Sequence, residues 1–338
     1  MPNNLLPNLE HHWETTLREI ICAYPRRRVK HWQCSYDSLA AFLQSVEPNR
    51  KQWANLVSDL PEFSGEMHVE TQKVAASRQL ITLRPWPGIQ VHALFQTPAN
   101  ESRTDFPLVV CLHGMGGSPE MILGDDESTP PSYHAYGHRL TEHGFAVLAP
   151  YLVNNFAGRG RLHRMSLLLG TTIWGLEIQL LQRLLDFAVA ALPIDARRVA
   201  MWGLSMGGAY TMYTLPLEPR FAAGIVSAWF NHRVRKMIVE DPHYTCFLPT
   251  PEEHAFLPGL LTQFSDQDLL ALICPRPLLI QTGERDSVSW PPLVKEEFDA
   301  GLTPYDRLHL SERLQWNLHH GGHEIEFESG LDFLKKWL

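Results

Sequence analysis

From residue 66 onward, short apolar runs of strand length alternate with longer amphipathic stretches. The runs at 106–112, 145–149, 197–202, 222–227, 277–282 and 314–319 read as strands, most of them nearly unbroken in their hydrophobicity. That is the pattern of strands covered on both faces rather than one. Residues 132–143, 172–191, 206–215, 291–300 and 328–338 read as helices. Regular alternation of this kind predicts a mainly parallel sheet with helices on both sides. Ahead of it, 66–98 reads as antiparallel strands joined at Pro85-Trp86-Pro87-Gly88.

The first 74 residues form a helical extension in this reading, and 75–338 the α/β domain. Trp13, Leu17, Ile20 and Ile21, then Leu39, Phe42 and Leu43, then Trp53, Leu56 and Leu60 recur at helical spacing. Pro25 and Pro48 divide three segments, and Arg26-Arg27-Arg28 is expected to be a solvated turn. Whether this extension packs on the sheet, supports a dimer or shapes a site entrance is left open. Two insertions interrupt the α/β rhythm. Residues 151–170, with Asn154-Asn155 and Gly158-Arg159-Gly160-Arg161, are expected to be a flexible polar loop. Residues 229–266 are rich in proline and aromatics, about half of which are expected to form the insertion's own small core. Sheets of this class bind ligands beyond the carboxyl ends of their strands, so both insertions can line a pocket. Trp229 and Phe230 directly follow a strand and are the candidates for substrate contact.

The chemistry centres on Gly203-Leu204-Ser205-Met206-Gly207, placed between a strand and a helix. That setting turns a common G-x-S-x-G string into a nucleophile elbow, with the serine held in a strained turn. Upstream, 106–112 ends in His113-Gly114-Met115-Gly116-Gly117. Acyl transfer needs donors aimed in advance at the oxyanion; the backbone N–H groups of Met115 and Met206 are the candidates. His113 is expected to be structural. The strand at 277–282 runs into Gly283-Glu284-Arg285-Asp286, which offers Asp286 as the acid, with Glu284 as runner-up. His323, in His319-His320-Gly321-Gly322-His323-Glu324, is the candidate base, with His320 as runner-up. A metal reading of these histidines lacks carboxylate or cysteine partners, and Asp125-Asp126-Glu127 and the His134–His138 pair are ordinary surface features. No metal or cofactor is called for.

In the order His-Gly loop, Ser205, Asp286, His323, the chain from about residue 75 resembles the α/β-hydrolase superfamily. Within it, Leu112 to Glu120, Ala271-Leu272-Ile273-Cys274-Pro275-Arg276-Pro277-Leu278 and Gly322-His323-Glu324 resemble the group of dienelactone hydrolases, acetyl xylan esterases and prolyl oligopeptidases. The resemblance implies a serine esterase that cleaves short-chain carboxylic esters, acetylated carbohydrates among them, through a Ser205-His323-Asp286 triad. A peptidase or amidase and a non-catalytic hydrolase-fold binding protein are the alternatives. A peptidase would need paired carboxylates for a free amino terminus, and Glu252-Glu253 and Glu296-Glu297 are expected to be solvated.

With 338 residues, 44% of them hydrophobic, the chain can bury a large core. A net charge of −8 gives no footprint for nucleic acid or an anionic membrane. Five cysteines without framework spacing suit a reducing compartment, and Met1-Pro2-Asn3-Asn4 does not begin a secretory signal, so a cytoplasmic protein is expected. The expected partner is a small-molecule ester; association into a homo-oligomer is left open.

Overall fold

The computed structural model describes residues 5–58, 67–99, 103–126 and 131–338. Leu60, Glu127 and Met1 to Asn4 lie outside them. Among the described residues nine strands form one sheet: β1 (His68–Ala75), β2 (Arg78–Trp86), β3 (Ile89–Gln96), β4 (Phe106–Leu112), β5 (Ala146–Pro150), β6 (Ile194–Leu204), β7 (Ala223–Ser227), β8 (Leu278–Gly283) and β9 (Leu314–His319). Their order is β1-β2-β3-β5-β4-β6-β7-β8-β9. β1 to β3 are antiparallel and β3 meets β5 antiparallel; from β5 to β9 every pairing is parallel. Exposed Glu70 and Lys73 lie on β1, so the outer edge of the sheet carries charge against uncontrolled pairing.

β4, β5, β7 and β8 are buried throughout, as their unbroken hydrophobicity predicts. Side chains on a strand alternate between faces, and the core divides accordingly. Leu108, Val110 and Leu112 of β4 join one layer, together with Val199 and Met201 of β6. Val109 and Cys111, with Ala200 and Trp202, join the other.

The helices are α1 (Leu5–Arg28), α2 (Leu39–Ser58), α3 (Pro119–Leu123), α4 (Tyr136–Glu142), α5 (Phe156–Leu168), α6 (Ile173–Ala191), α7 (Met206–Thr214), α8 (Arg233–Ile238), α9 (Leu260–Gln263), α10 (Asp266–Ile273), α11 (Pro291–Gly301), α12 (Thr303–Arg307) and α13 (Phe327–Trp337). The stretch read as a helix over 132–143 is helical only across α4, because His134 and Ala135 just before it take left-handed φ angles of 51° and 49°.

Among the described residues, the amino-terminal region forms two α-helices, with a single 3-10 turn at Val29–His31 after the first, rather than three helical segments. Pro25 lies within the last turn of α1, and Pro48 lies inside α2. Pro48 removes the partner of the Gln44 carbonyl; both residues are on the exposed face, where water can replace the bond. The buried face of α2 carries Phe42, Val46, Trp53 and Val57, all 0% exposed and part of the main core. The Trp53 indole N–H donates to the Tyr213 carbonyl at 3.1 Å, which fixes α2 against α7. The arginine triplet is not wholly solvated either. Arg26 and Arg27 face water, whereas Arg28 is buried, 2.6 Å from Asp268 and bonded to the Ser265 hydroxyl at 3.0 Å.

Within residues 151–170, where a flexible loop is expected, Phe156–Leu168 form the helix α5. Asn155 caps it by accepting from the Gly158 N–H at 3.0 Å. Arg159 anchors it from within: at 0% exposure its guanidinium donates to the Glu177 carboxylate at 2.6 Å and to the Val153 carbonyl at 2.8 Å, and lies over the Trp174 ring. Glu177 also accepts from the Val153 N–H at 2.8 Å and from the Tyr210 hydroxyl. A buried guanidinium without its counter-ion is costly, so Glu177→Ala should destabilise the fold by about 3–5 kcal/mol. The Glu177→Leu/Arg159→Met double variant should lose less than the two single changes together. Urea midpoints of Glu177→Leu, Arg159→Met and the double variant decide this; additive losses would contradict it.

Candidate active site

β6 ends at Leu204 and α7 starts at Met206, leaving Ser205 alone in the turn with φ 56° and ψ −117°. For a side chain with a Cβ this is strained, and close packing maintains it. A Cβ added at Gly203 would stand 2.1 Å from the Gly207 backbone, and one at Gly207 would stand 2.3 Å from the Leu112 carbonyl oxygen. The glycines therefore let β6, α7 and the end of β4 meet. The Ser205 N–H donates to the Ser227 carbonyl at 2.8 Å, tying the elbow to β7. As the first residue of α7, Met206 presents a backbone N–H with no acceptor inside the helix.

The His-Gly loop follows β4. His113 is 1% exposed; its Nδ1–H donates to the Gly114 carbonyl at 2.9 Å and its Nε2 accepts from the Leu152 N–H at 3.0 Å. Burial pushes its pKa down, so it is a neutral structural bracket between this loop and the segment after β5. Asn154 adds to the same joint: its carbonyl accepts from the Gly116 N–H at 3.4 Å and its side chain donates to the Gly117 carbonyl.

On the far side, β8 delivers Asp286 and β9 delivers His323. The Asp286 carboxylate is fully buried and accepts from the Val288 N–H at 2.8 Å and the Ser289 hydroxyl at 3.2 Å. His323 Nδ1 donates to it at 3.1 Å from each oxygen. The runners-up find each other instead: His320 Nδ1 lies 2.8 Å from Glu284 at the surface, with His320 94% exposed. Glu324 fixes the turn that carries His323. It accepts from the Gly322 N–H at 2.7 Å and meets His134 Nε2 at 2.5 Å, and the Ile325 N–H donates to the Ser132 carbonyl at 2.8 Å.

Ser205 and His323 line one cavity of about 180 Å³ together with Gly114, Met115, Gly116 and Tyr133. Ser205, Met115 and His323 thus line one cavity, with Asp286 behind His323. Tyr133 had no sequence signal; no local pattern marks it, and only the fold brings it there. Phe230 does not join them: it is 2% exposed within the main core. Trp229, partly exposed, packs against Trp174, Tyr213 and Phe247, with the Arg233 guanidinium 4.5 Å from its ring. Around it, Val234, Met237, Ile238, Phe247 and Ala255 make a small core of the 229–266 insertion. Leu162 and Met165 of α5 line a different opening of about 420 Å³, shared with Trp86 and Ile89. The carboxylate pairs are not simply solvated. Glu253 pairs with Arg164, and Glu297 is buried and accepts from the Gln267 N–H at 3.0 Å. Burial raises the Glu252 pKa. Asp125 pairs with Arg78, and His138 sits 3.7 Å from Glu142.

No family model matches the chain. A curated relative, "Putative hydrolase YtaP" of Bacillus subtilis, is 27% identical over 255 residues, 71% of this chain and 81% of its own length. Among solved structures, the glucuronoyl esterase from Solibacter usitatus is similar with a TM-score of 0.70 at 14% identity, over 88% of this chain and 93% of that one. The acetyl xylan esterase from Paenibacillus sp. R4 is similar with a TM-score of 0.57 at 18% identity, over 92% and 99%. Among the described residues, no helix is long and apolar enough to cross a membrane. The strand order, the elbow between β6 and α7 and these likenesses give one structural conclusion: the chain has the α/β-hydrolase fold.

Proposed function

We propose that the protein is a serine esterase that hydrolyses short-chain carboxylic esters, with acetylated carbohydrates as the leading substrate class. The observation that carries this reading is the contact of His323 Nδ1 with the buried Asp286 carboxylate, made beside the cavity that Ser205 and His323 share. With Nδ1 committed to Asp286, His323 Nε2 is the nitrogen left for the serine proton. Ser205 Oγ attacks the ester carbonyl as Nε2 removes its proton. The N–H groups of Met115 and Met206 hold the oxyanion, and Asp286 stabilises the imidazolium. His323 then returns the proton to the departing alkoxide, leaving an acyl-enzyme. Water, deprotonated by the same nitrogen, releases the acid.

The cavity volume of about 180 Å³ suits a small acyl group. The name of one structural relative, an acetyl xylan esterase, favours a carbohydrate on the alcohol side; that of the other, a glucuronoyl esterase, puts a sugar acid in the acyl group, so carbohydrate esters are the class the two share. Trp229, packed at the insertion core beside Gly208, is kept as a candidate wall for the alcohol side; Phe230 acts through the core. The peptidase alternative loses support because Glu253 and Glu297 are committed to Arg164 and Gln267. Five unpaired cysteines favour a reducing compartment, consistent with a cytoplasmic location.

A fluorophosphonate probe should label Ser205 and no other serine stoichiometrically; mass spectrometry that places the label elsewhere on active protein would remove the assignment. Asp286→Asn should keep the fold and lower kcat by about 10³–10⁴, because the histidine loses the tautomer it needs. Glu284→Gln should leave kcat within about twofold, since its partner His320 lies at the surface. Steady-state kinetics with an acetyl ester and circular dichroism of each variant check both. A larger loss in Glu284→Gln would reverse the choice of acid.

A further inference from the structure

Tyr133 reaches the Ser205 cavity from a segment remote in sequence from both the elbow and the histidine turn. Its ring is buried in the second core layer, 6% exposed. Its neighbours on both sides are tied to the His323 turn, the Ser132 carbonyl by the Ile325 N–H and the His134 imidazole by the Glu324 carboxylate. The phenol oxygen accepts from the Gly114 N–H at 2.8 Å. A Cβ at Gly114 would stand 3.0 Å from Ser205 Cβ and 3.5 Å from the phenol oxygen, and a Cβ at Gly117 only 2.0 Å from it. The two glycines therefore leave room for this one hydroxyl beside the nucleophile. A phenol that accepts one hydrogen bond still has one proton to give. Among the described residues that proton has no acceptor, and the hydroxyl lines the cavity of Ser205 and His323.

We propose that Tyr133 is a catalytic residue: its O–H donates to the carbonyl oxygen of the bound ester and strengthens that bond as the oxygen becomes an oxyanion, alongside the N–H groups of Met115 and Met206. This rests on the serine-esterase reading. No proton is transferred in the step; the phenol gives a hydrogen bond when Ser205 attacks and relaxes it when the carbonyl re-forms. The Gly114 N–H, donating to the same oxygen, orients and polarises the phenol. Burial pushes the Tyr133 pKa up to about 12, which keeps the donor protonated across the working range.

The test separates a donor to substrate from a mere acceptor for Gly114. Tyr133→Phe should lower kcat by about 10²-fold with KM changed by less than about threefold, as removal of one oxyanion donor does. Because this change also strips Gly114 of its acceptor, a second variant carries 3,5-difluorotyrosine at position 133. Its more acidic phenol ionises at lower pH, after which it accepts better but donates no longer. The kcat of that variant should therefore show an added loss of activity with rising pH, absent from the unmodified protein. Tyr133→Phe with kcat within about twofold, or a difluorotyrosine profile that follows the unmodified one, would overturn the inference. Absence of ester turnover in the unmodified protein would instead overturn the esterase reading beneath it.

Discussion

The close approach of three backbones at Gly203, Gly207 and Leu112 is the constraint on which the site depends. Because no Cβ stands between them, β6 can turn into α7 directly under the end of β4. That single junction raises Ser205 out of the sheet, leaves the Met206 N–H at a helix start, and sets the His-Gly loop alongside both. Parallel pairing of β4 with β6 and of β6 with β7 holds the junction from either side. The strain at Ser205 is thus sustained by a buried junction, where relaxing the turn would disrupt packing in both core layers.

The remaining groups are brought in by loops that are cross-braced. His113 and Asn154 join the His-Gly loop to the segment after β5, and Glu177 joins that segment to α5 and α6 through Val153 and Arg159. Glu324, His134 and the Ser132 carbonyl join the histidine turn to the loop before α4. The donors proposed for the oxyanion act without reorganisation only if the loops carrying them cannot drift, and these bonds supply that rigidity.

Much of this was legible in the sequence because the relevant residues have local signatures. Buried parallel strands announce themselves by unbroken hydrophobicity, and an elbow by glycines two residues either side of a serine. The sequence ranks Asp286 ahead of Glu284 without a local reason as strong as the elbow's, and the chain places them differently: Glu284 emerges at the surface beside His320, whereas Asp286, two residues on, turns inward to Val288 and Ser289. What the sequence misjudged was decided by long-range partners. Two glycines and three polar residues around Arg159 look like a loop until the Glu177 carboxylate, 18 residues away, is placed beside it. Arg28 reads as solvated until Asp268 approaches from α10. Tyr133 has no local mark, since its partner Gly114 belongs to another loop.

The position of α2 has a practical bearing on how the chain can be divided. Phe42, Val46, Trp53 and Val57 are as deeply enclosed as the central strands, and Trp53 stacks edge-on against Tyr213 and Phe264. A fragment beginning at residue 75 would uncover the apolar surfaces of α6, α7 and α10 to water in one contiguous area. Exposed patches of that kind drive association. Helix α2 is therefore an integral wall of the hydrolase fold here; expression boundaries should keep it, and fusion sites or circular permutations that retain every residue should be sought on the exposed turn between β1 and β2.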